Sequence, residues 1–445
     1  MKRFLLLATL ASSCASEAPK PALVAGAHPP DSGSLLVRCG RLIDGLSDEA
    51  RTGVEVYIAN GRIEAVGEKL EVPDATPLLD LSRFTVLPGL IDMHTHLADR
   101  PGSTKDLSVY FRITPEEQLT QARENARATL DAGLTSVRDV GTYIGFLDKT
   151  LRDEIASGAV AGPRMQVAGY YLTIPGGGGD LLIPGFEEKD IPDRVRHGVA
   201  RGEEQFRRKA QAAIDGGADV LKVIASGAVL AYGGVPGEPE MTEGEIRTVA
   251  EVAHASGKKL AAHAHGARSI KEAIRAGADT IEHASLIDDE AIALAAERKV
   301  ALSMDVYNGD YIATEGKRQG WPEEFLRKNE ETTEAQRQGF TRAYHAGVPI
   351  VFGTDSAVYP HGDNAKQFRI MVERGMKPMD AIRAATSVAA RYMGWEDRVG
   401  ALEKGRFGDL IAVEGDPLQD ITVLERVQVV VKGGLVFRAP TDVIR

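Results

Sequence analysis

Cysteine is nearly missing from this chain: 445 residues contain two, Cys14 and Cys39. A disulfide-stapled scaffold and a cysteine-rich metal knuckle are both excluded by that count. Lys and Arg are never clustered into a long run, and 53 of them stand against 64 acidic residues, a formal net charge of −11. That balance argues against nucleic acid or an anionic membrane surface as a partner. Beyond the first dozen or so residues, no apolar stretch is long enough to cross a bilayer. What is abundant is glycine, 47 residues, together with a hydrophobic fraction of 43%. The first suits many tight turns and the second a large core.

The N-terminus reads as an export signal. Lys2 and Arg3 precede an apolar run, Phe4 to Ala11, followed by the small residues Ser12, Ser13, Cys14, Ala15 and Ser16. This is the layout of a secretory signal peptide. Small residues just before Cys14 also match a bacterial lipoprotein site, although Ala11 stands where such sites usually carry Leu. Both routes stay open, and both place the protein outside the cytoplasm: periplasmic, lipid-anchored through Cys14, or secreted. Residues 1–14 are taken as the signal and 15–33, rich in Pro, Ala, Ser and Gly, as a linker.

Short strands cluster at both ends of the remainder. Ser34–Val37, Val54–Ala59 and Arg62–Val66 are β-like, with Asn60-Gly61 as a hairpin turn. Asp409–Val413, Val427–Lys432 and Leu435–Arg438 are similar. The expectation is a small β-sandwich from residues 34–88 and 400–445. Between them, residues 89–399 alternate strand and helix. The candidate strands are Gly89–Leu97, Thr135–Gly141, Arg164–Ala168, Val220–Ala225, Lys259–His265, Thr280–Ala284, Ala301–Val306 and Pro349–Asp355. Thr114 with Pro115, and Thr242 with Glu245, mark helix starts. Eight such units predict an α/β fold, a (β/α)₈ TIM barrel, over an open doubly wound sheet.

Barrel enzymes carry their chemistry at the C-terminal ends of the strands. Here those ends hold His94 and His96 on strand 1, Lys222 on strand 4, His263 and His265 on strand 5, His283 on strand 6 and Asp355 on strand 8. Residues two apart on a strand share a face, so each histidine pair can reach one point. Five of only ten histidines fall at these positions. Imidazole with carboxylate suits zinc and related divalent ions. Lys222 fits a cationic site if its amine, lowered in pKa by burial, is neutral and carries CO₂ as a bridging carbamate.

The motifs "LPGLIDMHTHL", "ADVLKVIASG", "LAAHAHG", "AGADTIEHA" and "VFGTDS" together resemble the amidohydrolase superfamily with a binuclear metal centre. "ALEKGRFGDLIAVEGDPLQDI" resembles that family's return to the terminal sandwich. Within the superfamily, "HAHG" is similar to the prolidase-like Xaa-dipeptidases and ochratoxinase. The resemblance implies that His94, His96 and Asp355 hold one metal, His263 and His283 the other, and carboxylated Lys222 bridges both. It implies a hydroxide between the metals as nucleophile, with Asp355 taking and returning a proton. His265 would face the substrate or support a ligand by a hydrogen bond. It further implies a small substrate, a dipeptide or N-acyl amino acid with a free C-terminal carboxylate, and a homo-oligomer, often an octamer in this subgroup.

Substrate residues are harder to read. The glycine-rich loop "YYLTIPGGGGDLLIPGF" would cover the site, and Gly178 stands where relatives often have His. Tyr232, on the loop "SGAVLAYGGVPG", is a candidate for binding a carbonyl or carboxylate, or else packs within a lid. Arg138 would receive a carboxylate or pair with a barrel carboxylate such as Asp139, and His361 is a rim candidate. The apolar loops tilt the preference toward a C-terminal Phe or Leu. A lactonase or cyclic amide hydrolase on the same scaffold is the alternative. A mononuclear deaminase is disfavoured, because Gly266 and Ala267 follow His265 and Lys222 is present. A metal-free scaffold protein is disfavoured because all six ligand candidates stand.

Overall fold

The computed structural model describes residues 23, 24 and 26–444, so the signal assigned to 1–14, with Cys14, lies outside the described residues, as does part of the linker. Five strands precede the barrel: β1 (Leu35–Leu42), β2 (Arg51–Thr52), β3 (Glu55–Ala59), β4 (Arg62–Gly67) and β5 (Leu78–Pro88). The barrel strands are β6 (Leu90–Thr95), β7 (Leu134–Asp139), β8 (Arg164–Val167), β9 (Val220–Ile224), β10 (Lys259–Gly266), β11 (Thr280–Leu286), β12 (Ala301–Ser303) and β13 (Ile350–Val351). The chain returns through β14 (Leu410–Glu414), β15 (Val429–Lys432) and β16 (Leu435–Arg438).

The barrel ladders are parallel throughout, β6-β7-β8 and β9-β10-β11-β12-β13. Two narrow seams close the ring. Leu172 N donates to Lys222 O at 2.8 Å, and Ile224 N to Leu172 O at 2.9 Å. Across the other seam Met93 N donates to Phe352 O at 2.8 Å and His96 N to Ser356 O at 3.0 Å. Helices fill the intervals as the alternating pattern requires. Thr114–Glu117 and Thr242–Glu245 both form reciprocal capping boxes, which satisfy N–H groups that a helix start leaves unpaired.

Both chain ends build one mixed sheet, ordered β16-β15-β14-β5-β1-β3-β4, with β2 on β1. β5 sits at its centre, parallel to β1 and antiparallel to β14, and joins the two halves. It was not expected from sequence, because its last five residues are all buried and show no in–out alternation. One face gathers Val37, Val56, Leu81, Val86, Leu410 and Val431 into a single apolar cluster. The other face sends Leu87, Ile411, Val430 and Phe437 into the barrel's own core.

The junction lies at the starts of the first barrel strands. Gly89 N donates to Asp409 O at 3.0 Å, and a Cβ at Gly89 would come within 2.0 Å of Thr135 Oγ1. Only glycine fits there. The sheet therefore occupies the end of the barrel opposite to the strand ends that carry His94 and its neighbours.

Candidate metal centre and active-site cleft

Every imidazole of the centre is held by a partner on one nitrogen. His94 Nδ1 is 2.8 Å from Glu282 Oε2, and His96 Nδ1 is 2.7 Å from Gly141 O. His283 Nδ1 is 2.9 Å from Asp305 Oδ1, and His265 Nδ1 is 2.8 Å from Ser285 Oγ. His263 uses the other nitrogen, Nε2, toward Gly227 O at 3.5 Å. Such partners fix tautomer and ring direction, and leave the remaining nitrogen for a ligand. The rings crowd together: His263 and His283 centroids are 4.6 Å apart, His94 and His283 4.8 Å. Burial lowers His94 and His265 to about 3, with help from the Lys222 charge at His94 and from His283 at His265. Both are held neutral, the form that binds a cation, whereas against the pull of burial Asp355 raises His96 to about 9 and Asp305 raises His283.

Asp355 faces this group. Its Oδ1 lies 3.1 Å from His96 Nε2 and 3.5 Å from His94 Nε2, while Oδ2 accepts from Asn308 Nδ2 at 3.0 Å. Ligand atoms of His94, His283 and Asp355 lie within 4.8 Å of one another, and so do those of His263, His265 and His283. Lys222 lines the same cleft and is 2% exposed. Burial, aided by the Arg138 charge and opposed by Glu282 and Asp355, lowers its amine to about 8. Imidazole nitrogens, one carboxylate and a lysine able to lose its proton make a donor set that fits divalent metal ions.

Two backbone departures aim these side chains. His283 (φ 69°), Ala284 (φ 48°) and Asp355 (φ 57°) occupy the left-handed region. Strand alternation would turn Glu282 and His283 to opposite faces. The left-handed step at His283 lets both enter the site, Glu282 against His94 and His283 against Asp305.

Several substrate expectations need correction. Arg138 is 1% exposed and spends its guanidinium inside the barrel, on Glu282 Oε1 at 2.7 Å, Thr280 Oγ1 at 3.0 Å and Met93 O. It does not line the cleft; it pairs with a barrel carboxylate, as its alternative reading had it, but with Glu282 on β11 and not with Asp139, whose oxygens accept from Leu97 N and Gly141 N. His361 is buried behind β6, with Nδ1 toward Ser356 Oγ and Thr129 Oγ1, and is not on the rim. Tyr232 packs its ring against Phe325 at 4.8 Å and does not line the cleft. Gly178 does line it, and a Cβ there would meet Ala228 Cβ at 2.9 Å.

The cleft holds about 1050 Å³, including the part open to solvent. Tyr110, Tyr143 and Tyr171 form one wall, ring centres 4.9 and 5.1 Å apart. Tyr171 also reaches His96 Nδ1 and Asp99 Oδ2, each at 3.1 Å. The opposite wall is neutral and polar, with Asn308, Asn329, Thr332 and Gln336. Gln336 Nε2 donates to Asp305 Oδ1 at 2.9 Å. Glu282, Asp305, Tyr143 and Tyr171 escaped the sequence reading. Asp305, two residues past β12, carried the one available signal, a lone acid at a strand end.

The Amidohydrolase family model matches residues 85–436. The chain belongs to the amidohydrolase family. This amidohydrolase is 29% identical over 425 residues to the ochratoxinase of Aspergillus niger, covering 91% of this chain and 87% of that one. Among solved structures, a Xaa-Pro dipeptidase with methionine bound in its active site superposes with a TM-score of 0.84 at 35% identity, covering 92% of this chain and 100% of the other. A prolidase complexed with N-methylphosphonate-L-proline gives 0.84 at 28% identity, with the same coverage. The chain is thus a hydrolase acting on amide bonds, of a family that is generally metal-dependent.

Proposed function

We propose that this amidohydrolase cleaves the amide bond of dipeptides or N-acyl amino acids that end in a free carboxylate. The observation that carries the reading is the meeting of five histidines, Asp355 and Lys222 at the floor of one cleft. The named activities of its relatives, Xaa-Pro dipeptidase, prolidase and ochratoxinase, support the substrate class.

Two divalent ions, with zinc the best match to these donors, would be held by His94, His96 and Asp355 on one side and His263 and His283 on the other. Lys222, its amine joined to CO₂ as a carbamate, would bridge them. When bound, the ions supply Lewis acidity and a lowered pKa for water. Asp355 is the proton carrier. Although burial opposes ionisation, its neighbouring histidines hold its carboxyl below the usual range, so it is a carboxylate. It can accept a proton on the nucleophile side and release it to the leaving amine. His265, held by Ser285, presents its free nitrogen toward the substrate carbonyl.

The test is release of the C-terminal amino acid by metal-reconstituted protein from matched N-acyl and N-aminoacyl derivatives of Phe, Leu, Pro and Arg, and from ochratoxin A. Release from any of these series supports the reading. No release with metals confirmed by elemental analysis sends the activity to lactones or cyclic amides. Lys222→Ala is expected to lose bound metal and activity together, with partial rescue by short carboxylic acids. A fully active Lys222→Ala enzyme removes the bridging role.

A further inference from the structure

A second cavity opens at the barrel's other end, about 1270 Å³ including its mouth, and shares no lining residue with the metal cleft. It lies where β8 begins, beside the approaches to β9 and β10, and is walled by the N-terminal segment around His28 and Asp31. Five cationic side chains line it, Arg152, Arg164, Lys258, Arg398 and Lys432, against two carboxylates, Asp31 and Asp219. In a chain whose net charge is −11, that local balance is inverted.

Internal pairing uses up only part of the positive charge. Arg164 is matched by Asp31 at 2.6 Å and Asp409 at 2.7 Å, and Arg152 by Asp219 at 2.6 Å. Lys258 reaches Asp219 only at 3.8 Å. Among the described residues, no carboxylate oxygen lies within 4.0 Å of Arg398 or Lys432. Lys432 Nζ has one bond, to Gly162 O at 2.6 Å. Arg398 rests over the Trp395 ring at 4.7 Å, and Phe407 lies 3.6 Å from Arg164. Those two aromatic rings, with Ile155, Met165 and Ile214, give the cavity an apolar wall. His28 Nε2, also in the lining, is buried without a hydrogen-bond partner.

We propose that this cavity is a binding site for a small organic anion, a carboxylate on a compact apolar body. The carboxylate meets Lys258, Arg398 and Lys432, and the body lies against Trp395 and Phe407. A charged acceptor forms stronger hydrogen bonds with such donors than a neutral one, and an apolar body gains by leaving water. The site is independent of the metal centre and of the substrate assigned to it.

Trp395 reports directly on binding, because the chain has only two tryptophans. Trp321→Phe leaves Trp395 as the sole emitter. Titration of that full-length protein with benzoate is expected to give a saturable fluorescence change, with benzamide giving none in the same range. Adding Arg398→Gln and Lys258→Gln is expected to weaken benzoate by about tenfold or more, the loss of charge-assisted bonds. Adding Lys222→Ala instead is expected to leave the affinity unchanged. No saturation by about 50 mM benzoate, a range reaching well past millimolar binding, overturns the proposal. So does equal affinity in the Arg398/Lys258 variant, or benzamide binding as tightly as benzoate. Inorganic phosphate binding more tightly than benzoate rejects the organic anion in favour of a simple one.

Discussion

His283 and Asp355 hold backbone angles that cost an L-residue about 1–2 kcal/mol each, and both belong to the proposed metal centre. Strain of this kind persists where the surroundings over-determine it, and here it delivers two adjacent side chains, Glu282 and His283, to one cleft. That is why the histidines were legible in sequence and Glu282 was not. Alternation predicts faces only while the strand stays regular. Arg138 was half legible: pairing with a barrel carboxylate was expected, but no spacing rule announces that the partner is Glu282 rather than its neighbour Asp139. Cys39 offers a test at this scale. Burial pushes its thiol up to about 12, and it is 3% exposed. Iodoacetamide at pH 8 is expected to leave the Cys39 peptide unmodified in native protein and to alkylate it fully in urea, as mass spectrometry would read. Tyr143→Ala opens the aromatic wall, and is expected to raise KM about tenfold for benzoyl-Phe while changing acetyl-Phe little, on the area a lost ring leaves wet. Equal effects on both substrates would mean that the tyrosine wall does not receive the acyl group.

Helix caps were readable because their signal is local. Thr242 and Glu245 bond each other's backbone N–H, as spacing alone foretold. Thr242→Ala is expected to cost about 1 kcal/mol in urea unfolding, with unchanged m-value. An effect near zero would mean the first turn is held by packing alone. β5 was unreadable because its pairing partners, β1 and β14, lie far apart in the chain and both its faces are covered. β12 and β13 are shorter than the sequence suggested, three and two residues. Their downstream residues leave the ladder to place Asp305 and Asp355. Between β12 and β13 the helix Glu323–His345 supplies Asn329 and Gln336 to the cleft. Its buried Lys328 grips Ala231 O at 2.7 Å and so ties it to the loop after β9.

At the level of the whole molecule, Arg164 fastens three parts: the N-terminal segment through Asp31, the barrel through β8, and the terminal sheet through Asp409. Arg164→Met leaves two carboxylates without their partner and is expected to cost about 3–5 kcal/mol, the usual penalty for breaking a buried pair. Calorimetry of the purified variant checks it. Lys432 nearby gives a pH signature. Burial, with Arg164 beside it, lowers its amine to about 8 from an unfolded 10.5. Between those values the unfolded chain binds more protons than the folded one, so this group makes stability rise with pH across that window. Lys432→Met is expected to flatten that rise in urea titrations at pH 8 to 10.5. An unchanged slope would show that Lys432 keeps its ordinary affinity for protons.

Leu23 pairs with Val436 on β16, and Arg127 binds both Val24 O and Phe437 O. Leu23 and Val24 thus lie beside the last strand of the sheet, on the side where the terminal sheet meets the barrel. A probe attached at Leu23 itself would therefore sit at the molecule's back, away from the strand ends that carry the histidines.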